Sequence, residues 1–324
     1  MIDAEDRALL EKSVQSALAD VAPGADVDAL LAEIDWRDLL EAEPADAIDL
    51  VFRALGSVDV RSSALDDVLL HALGIEPRDD LAVVLPLFGS WQPPGQSEGA
   101  EEDVITVRGL VTARAARAKK LICVSGPAES PRITTFDAPR AKCTAITGID
   151  PASAYQSVHF EGRVDEAAPL DPSHLREAVA LARRAVATQI AGANRTMLDM
   201  ARTHALEREQ FGKPIAQFQA VRHRLSEALV AVESTEACLV AARDEPNDQT
   251  AALAKALASR NARVVARHCQ QVLAGVGFTT EHAFHLFLKR VMALEGLFGT
   301  ADEILLEVGR GLLATREAPP LIEL

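Results

Sequence analysis

Two stretches of this chain carry residue types and spacings suited to holding a ligand. The first is residues 208–219, with Arg208, Gln210, Phe211 and Gln219. A guanidinium can grip a phosphate through two parallel hydrogen bonds. An aromatic ring can lie against a planar group, and amides can read a polar ring edge. The second is residues 271–281, with Gln271, Ala274, Gly275 and Gly277. Glycines at the end of a helical run let a backbone approach a ligand closely, or let the chain turn. The same residues would also suit an ordinary helical hairpin with a surface arginine and a core phenylalanine.

The positioning elements follow from periodicity and punctuation. Asp171 is a good N-cap and Pro172 fits the first helical position, so a long helix is expected from there to about Arg208. Gly192 falls inside it, where a close helix contact would use it. Gly212 and Pro214 cannot sit comfortably in a helix, so that helix must end near Phe211. A second helix is expected from about Ile215 to Arg243. Its apolar positions Ile215, Phe218, Val221, Leu225, Leu229 and Val232 recur every three or four residues and mark one face. Further helices are expected over Thr250–Leu273, His282–Leu294 and Ala301–Leu312, making a bundle.

Arg-x-x-Phe-Gly-x-Pro-Ile-x-x-Phe-Gln, followed some fifty residues later by Gln-x-x-x-Gly-x-Gly-Phe-x-x-Glu, resembles the C-terminal helical domain of acyl-CoA dehydrogenases, from Asp171 to Leu313. The resemblance implies a mainly α fold with a small β domain. Its parts would be N-terminal helices over residues 1–80, a middle β-barrel or sheet over 81–168, and a helix bundle over 169–324. It implies FAD as cofactor and α,β-desaturation of an acyl-CoA thioester as the reaction, with electron-transfer flavoprotein as acceptor. Matched position by position, Arg208, Phe211 and Gln219 would reach across a subunit interface to a neighbour's flavin pyrophosphate and adenine, with Gln210 beside them as a further cofactor-binding candidate. Gln271, Ala274 and Gly275 would contact the adenosine end of the same dinucleotide. Ala274 stands where the family usually has the first of two glycines.

That reaction needs a carboxylate to take a proton from the α carbon. Members of the family place it at one of two positions, and counting without gaps puts these at Phe298 and Ala182. Neither side chain can accept a proton. Glu295 and Glu177 lie near these positions in sequence, and both also read as solvated helix charges. His204, His223, His268, His282 and His285 read as surface or packing residues. No Gly-Ser-Asp or Trp-Ile-Thr motif, by which the family holds the flavin, is found in the middle region. The expected function is therefore a non-catalytic subunit that completes the FAD site of a longer acyl-CoA dehydrogenase homologue in an α2β2 assembly. The resemblance is to the short subunits of actinobacterial heterotetramers acting on CoA thioesters of steroid side chains. A homotetrameric enzyme with a relocated base, and a non-enzymatic scaffold of the same fold, stay open.

Composition sets the outer limits. Of 324 residues, 48 % are hydrophobic, enough for a sizeable core. The balance of 33 basic against 48 acidic residues gives −15, which argues against nucleic acid or an anionic membrane as partner. Cys123, Cys143, Cys238 and Cys269 lack metal-ligand spacing, and so few in a long chain suit reduced thiols in the cytoplasm. The acidic N-terminus lacks a secretory pattern, and no apolar run is long enough to span a membrane. Residues 1–80 read as short helices, with Trp36 in the core, and with Ser62, Ser63, Asp66 and Asp67 opening one helix. Leu81–Leu87, Val104–Val111, Lys120–Val124, Arg132–Phe136 and Ser157–Phe160 read as strands. The acidic stretch Gly95–Asp103 reads as a mobile loop.

Overall fold

The computed structural model describes residues 3–97 and 104–316. Five helices come first: α1 (Ala4–Ala19), α2 (Asp28–Glu33), α3 (Trp36–Ala42), α4 (Pro44–Ser57) and α5 (Ala64–Ala72). A short parallel pair, β1 (Ala25–Asp26) and β2 (Val60–Arg61), ties them together. Trp36 is buried, and its indole N–H donates to Asp67 at 3.0 Å. At the start of α5, Ser62 accepts from the Ala64 amide at 3.0 Å, while Ser63 makes no side-chain cap.

Asp66 and Asp67 do more than face a helix N-terminus, because both are buried. Asp66 accepts from the Val83 amide and the Thr112 hydroxyl, each at 2.6 Å. Burial pushes its carboxyl up to about 6, against the pull of Arg114. Arg114 clamps Asp67 with two hydrogen bonds, at 2.5 and 3.0 Å. Two helix-opening carboxylates thus weld the first helices to the sheet.

The sheet contains β3 (Leu81–Val83), β4 (Gly95–Ser97), β5 (Val104–Val111), β6 (Lys120–Ser125), β7 (Arg132–Asp137), β8 (Lys142–Ala145), β9 (Gln156–Arg163) and β10 (Glu166–Pro169). Its order is β10-β7-β6-β4-β5-β9-β8, with β3 pairing parallel to β6. The expected strands are all present, although the first stops at Val83 and continues as a bridge between Leu85 and Leu110. Strand side chains alternate between faces, and the inner strands are apolar on both. Leu121 and Cys123 pack with Val107, Phe136 and Phe160 inside the sheet's own core. Ile122 and Val124 pack with the helices on the other side. The stretch expected as a mobile loop begins as β4, and residues 98–103 lie outside the described residues.

The second helical part is built from α6 (Pro172–Glu207), α7 (Gln219–Asp244), α8 (Asp248–Leu273), α9 (Phe284–Glu295) and α10 (Ala301–Thr315). Asp171 caps α6 by accepting from the Ser173 amide at 2.8 Å, with Pro172 in the first turn. Asn247 and Thr250 form a reciprocal capping box at the start of α8. Helices α4 and α6 cross at two glycines. A Cβ on Gly192 would lie 2.2 Å from the Arg53 carbonyl oxygen, and one on Gly56 would lie 2.0 Å from that of Gln189. Arg290 of α9 joins three parts of the molecule. It donates to Asp150 between β8 and β9 at 2.5 Å, to the Val60 carbonyl, and to Asp59 at 3.4 Å. Among the described residues, no helix is long and apolar enough to cross a membrane.

Candidate functional site

The first motif is a solvent-facing corner between α6 and α7. Helix α6 ends at Glu207, and the chain then forms a hairpin that the sequence reading missed. Glu209 and Gln210 (β11) pair with Lys213 and Pro214 (β12) around a turn at Phe211 and Gly212. Both turn residues have positive φ, +54° and +74°, as a type I′ hairpin requires. A turn of 3-10 helix over Ile215–Gln217 then leads into α7 at Gln219, four residues later than expected for a full α-helix. The hairpin accommodates both Gly212 and Pro214: glycine tolerates the left-handed turn, and proline takes a place in a two-residue edge strand.

Phe211 is 92 % exposed, and among the described residues its one ring neighbour is Phe218, edge-on at 6.2 Å. The Arg208 carbonyl accepts from the Ile215 amide at 2.8 Å, which fixes the base of the corner. The Arg208 guanidinium is exposed and has no ion pair among the described residues. Gln210 and Gln219 are exposed too, with the Gln210 amide donating to the neighbouring Glu209 carbonyl at 2.8 Å. An unpaired cation beside an uncovered ring and two amides is the donor set that a dinucleotide phosphate and base would use.

The second motif ends α8. Gln271, Ala274 and Gly275 are all exposed. Ala274 has φ +51°, so it holds a backbone conformation that glycine adopts more cheaply. A Cβ on Gly275 would meet nothing within 4 Å, which leaves its backbone open to approach. Gln271 lines a cleft of about 410 Å³ between α8 and α9, with Arg263, Arg267, Phe278 and Met292 along its walls. Phe278 is 74 % exposed. No hydrogen bond or ring contact joins the two motifs among the described residues. His204, near the end of α6, has its pKa lowered by partial burial and then by His282 and Arg208.

The two positions at which a base would act come together at the opposite extreme of exposure. Ala182 is fully buried on α6 and Phe298 is 2 % exposed in the turn between α9 and α10. Arg183, the residue after Ala182, donates from Nε to the Phe298 carbonyl at 3.2 Å. Its Nη2 donates to Glu307 of α10 at 2.9 Å, and its guanidinium lies over the Trp91 ring at 4.8 Å. Burial lowers the Arg183 pKa, with Glu307 acting in the opposite sense.

A second buried cation, which the sequence reading missed, holds the same turn. Lys255 of α8 is fully buried and donates to the Glu295 carbonyl at 2.9 Å, the Ser259 hydroxyl at 3.1 Å and the Gly299 carbonyl at 3.3 Å. Burial pushes it down to about 7, against the attraction of Glu295. The available signal was its isolation: Lys255 is the only charged residue between Asp248 and Arg260 in an alanine-rich run. Phe298 and Gly299 take positive φ, +54° and +99°, and Thr300 with Glu303 forms a capping box that starts α10.

The nearby carboxylates are committed elsewhere or remote. Glu295 is held by Arg263, which donates to its two carboxylate oxygens from Nε, at 3.2 Å, and Nη2. Glu177 is exposed on the first turns of α6. No group of three or more metal-ligating side chains exists among the described residues.

Comparison with known proteins gives a consistent family. Residues 174–313 match the family model for the acyl-CoA dehydrogenase C-terminal domain. Acyl-CoA dehydrogenase FadE34 of Mycobacterium tuberculosis is 39 % identical over 126 residues, which are 37 % of this chain and 18 % of that protein. The chain therefore matches less than a fifth of that relative's length. Among solved structures, the Tcur3481-Tcur3483 steroid ACAD variant superimposes with a TM-score of 0.79 at 20 % identity, covering 97 % of this chain and 99 % of that one. The ChsE4-ChsE5 complex from Mycobacterium tuberculosis gives a TM-score of 0.78 at 20 % identity, covering 98 % and 99 %. At that identity the likeness shows the fold, which is that of acyl-CoA dehydrogenases along nearly the whole chain. Residues 174–313 are thus identified with the acyl-CoA dehydrogenase C-terminal domain, and the fold of the chain matches acyl-CoA dehydrogenase structures along nearly its whole length.

Proposed function

We propose that this chain is the non-catalytic subunit of a heteromeric, FAD-dependent acyl-CoA dehydrogenase. A longer homologue would supply the base and cradle the flavin ring, and this chain would close the dinucleotide end of the site. The observation that carries the reading is the burial of Ala182 and Phe298 with no carboxylate at either position, next to an Arg183–Phe298 contact. A carboxylate acting as general base must lie within contact distance of the proton it takes, and neither position offers one.

Bound FAD would accept the hydride that leaves the β carbon of the acyl group. This chain's part is to bind and orient. Arg208 would pair with the pyrophosphate, Phe211 would lie against a ring, and Gln210 and Gln219 would read polar edges. Gln271, Ala274 and Gly275 would take the adenosine end, with the Ala274 backbone already in the left-handed region. Every one of these side chains faces solvent in the isolated chain, as residues serving a neighbour's site should. The solved neighbours support the rest of the proposal by their own descriptions: one is a steroid ACAD and another is a two-component complex. On that basis the substrate is the CoA thioester of a steroid side chain, the assembly is α2β2, and electrons pass to an electron-transfer flavoprotein.

The test is the flavin content and mass of the chain expressed alone and with a longer acyl-CoA dehydrogenase homologue. The proposal expects a flavin-free or poorly soluble chain alone and a yellow α2β2 complex. Stoichiometric FAD on a pure homotetramer of this chain would contradict it, and would favour a self-sufficient enzyme with a relocated base.

A further inference from the structure

The turn between α9 and α10 fastens the helix bundle to the segment that follows β3. The Gly296 carbonyl accepts from the Gly89 amide at 2.7 Å. A Cβ on Gly299 would lie 2.7 Å from the Trp91 ring, and one on Gly296 would lie 2.8 Å from Phe88. Phe298 and Gly299 both hold positive φ, and at a phenylalanine that backbone is strained and persists only because its surroundings hold it. Lys255 lies against this turn, fully buried, with the Glu295 and Gly299 carbonyls and the Ser259 hydroxyl as partners.

Among the described residues, no carboxylate bonds to that amine. On α6, Arg183 is a second buried cation, paired with Glu307 of α10. On α9, the Glu295 carboxylate attracts Lys255 but is turned to Arg263 of α8. On α10, Glu303 is held by Thr300, and Asp302 is exposed. Residues 87–91 include no titratable side chain. An ammonium at this place therefore meets neutral acceptors and another cation, which disfavours its charged form. The neutral amine is fully served: it donates to the two carbonyls, and its lone pair accepts from the Ser259 hydroxyl. In water a lysine keeps its proton to far higher pH. The closed turn thus binds a proton more weakly than an opened one, so proton uptake favours opening. We propose that the α9–α10 turn is a proton-operated latch: with Lys255 neutral it closes on Trp91 and Phe88, and with Lys255 protonated it moves off them and lets water reach the amine. The flavin contacts assigned above involve other residues, so the latch stands or falls independently of that reading.

Amide hydrogen exchange read by mass spectrometry, on the full chain with any partner that copurifies, tests this. The reporters are the Gly89 amide and the amides of the first turn of α10, and the central turns of α8 report global unfolding. After correction for intrinsic exchange, opening at the reporters should exceed opening at α8 at every pH. It should rise about tenfold from pH 8.5 to pH 7, where opened and closed turns differ by one proton, and level off below about 7. Lys255→Met and Lys255→Gln cannot take that proton. Whichever of them unfolds cooperatively should lose the pH dependence at the reporters. Reporter amides as slow as those of α8, opening that does not change with pH, or the same pH dependence in a folded variant would each overturn the proposal. The last result would assign the sensing to another group, such as the buried Asp66.

Discussion

The chain contains two Phe-Gly turns of nearly the same backbone shape and opposite surroundings. Phe211 and Phe298 both have φ +54°, and each precedes a glycine of positive φ. Phe211 is 92 % exposed at a corner held mainly by its own hairpin, while Phe298 is 2 % exposed. The second turn is gripped through its carbonyls by Arg183 and Lys255. A bulky residue at positive φ is strained, so each turn must be held by something. At Phe298 the protein's own core and cations hold it, which is the mark of a structural element. At Phe211 the large ring is left in water, which is costly for an isolated chain and suits a surface that meets a partner.

The difference can be tested by treating the two turns alike. Phe298→Ala empties a core site and should cost about 3–5 kcal/mol of unfolding free energy, read by chemical denaturation. Phe211→Ala should change that free energy by no more than about 0.5 kcal/mol. Equal effects would remove the contrast.

Arg208→Ala should leave the fold intact and weaken flavin retention in the assembled complex by roughly ten- to a hundredfold, from a lost charge-assisted contact of about 1.5–3 kcal/mol. Release of flavin on dilution, followed by absorbance, would show it. Unchanged retention would make the corner purely structural.

A smaller effect concerns the Lys255 grip. Burial lowers its folded-state pKa to about 7, from the 10.5 of an exposed lysine. Between those values the unfolded chain holds a proton that the folded chain lacks, so stability rises with pH there. Below about 7 both states carry the charge, and the burial penalty is felt in full. Relative to Lys255→Met, the natural chain should therefore gain at most about 1.4 kcal/mol per pH unit from pH 7 upward. Denaturation of both proteins between pH 6 and pH 9, compared with a single pH-independent offset, decides the matter.

Much of this architecture was legible in residue order. Asp171 followed by Pro172 named the start of α6, and Gly192 marked a helix crossing, because caps and close contacts are local demands on one or two residues. Counting from Arg208 and Gly275 also led to Ala182 and Phe298; Arg183, the residue after Ala182, donates to the Phe298 carbonyl. Three things stayed hidden for a common reason. The Phe211–Gly212 hairpin, the burial of Asp66 and Asp67, and the Lys255 and Arg183 grips all depend on partners far away in sequence or on a tolerated positive φ. Asp66 and Asp67 look like any acidic first turn until Thr112 and Arg114 arrive from 46 and 47 residues away. The short strands β4, β8 and β10 carry few apolar residues, and their pairing rather than their composition makes them strands.

The central claim is that this chain contributes binding surface and no proton acceptor. Anaerobic bleaching of the flavin by acyl-CoA, measured on the assembled complex, tests it most directly, because bleaching requires both proton and hydride removal. Removing a true general base costs about 10²–10⁴-fold. The account predicts that Glu295→Gln and Glu177→Gln in this chain change the bleaching rate by no more than about threefold, while Gln in place of the partner's glutamate stops bleaching with FAD still bound. If Glu295→Gln or Glu177→Gln stops bleaching with FAD bound and the fold intact, that residue is a relocated base and this chain is a catalytic subunit.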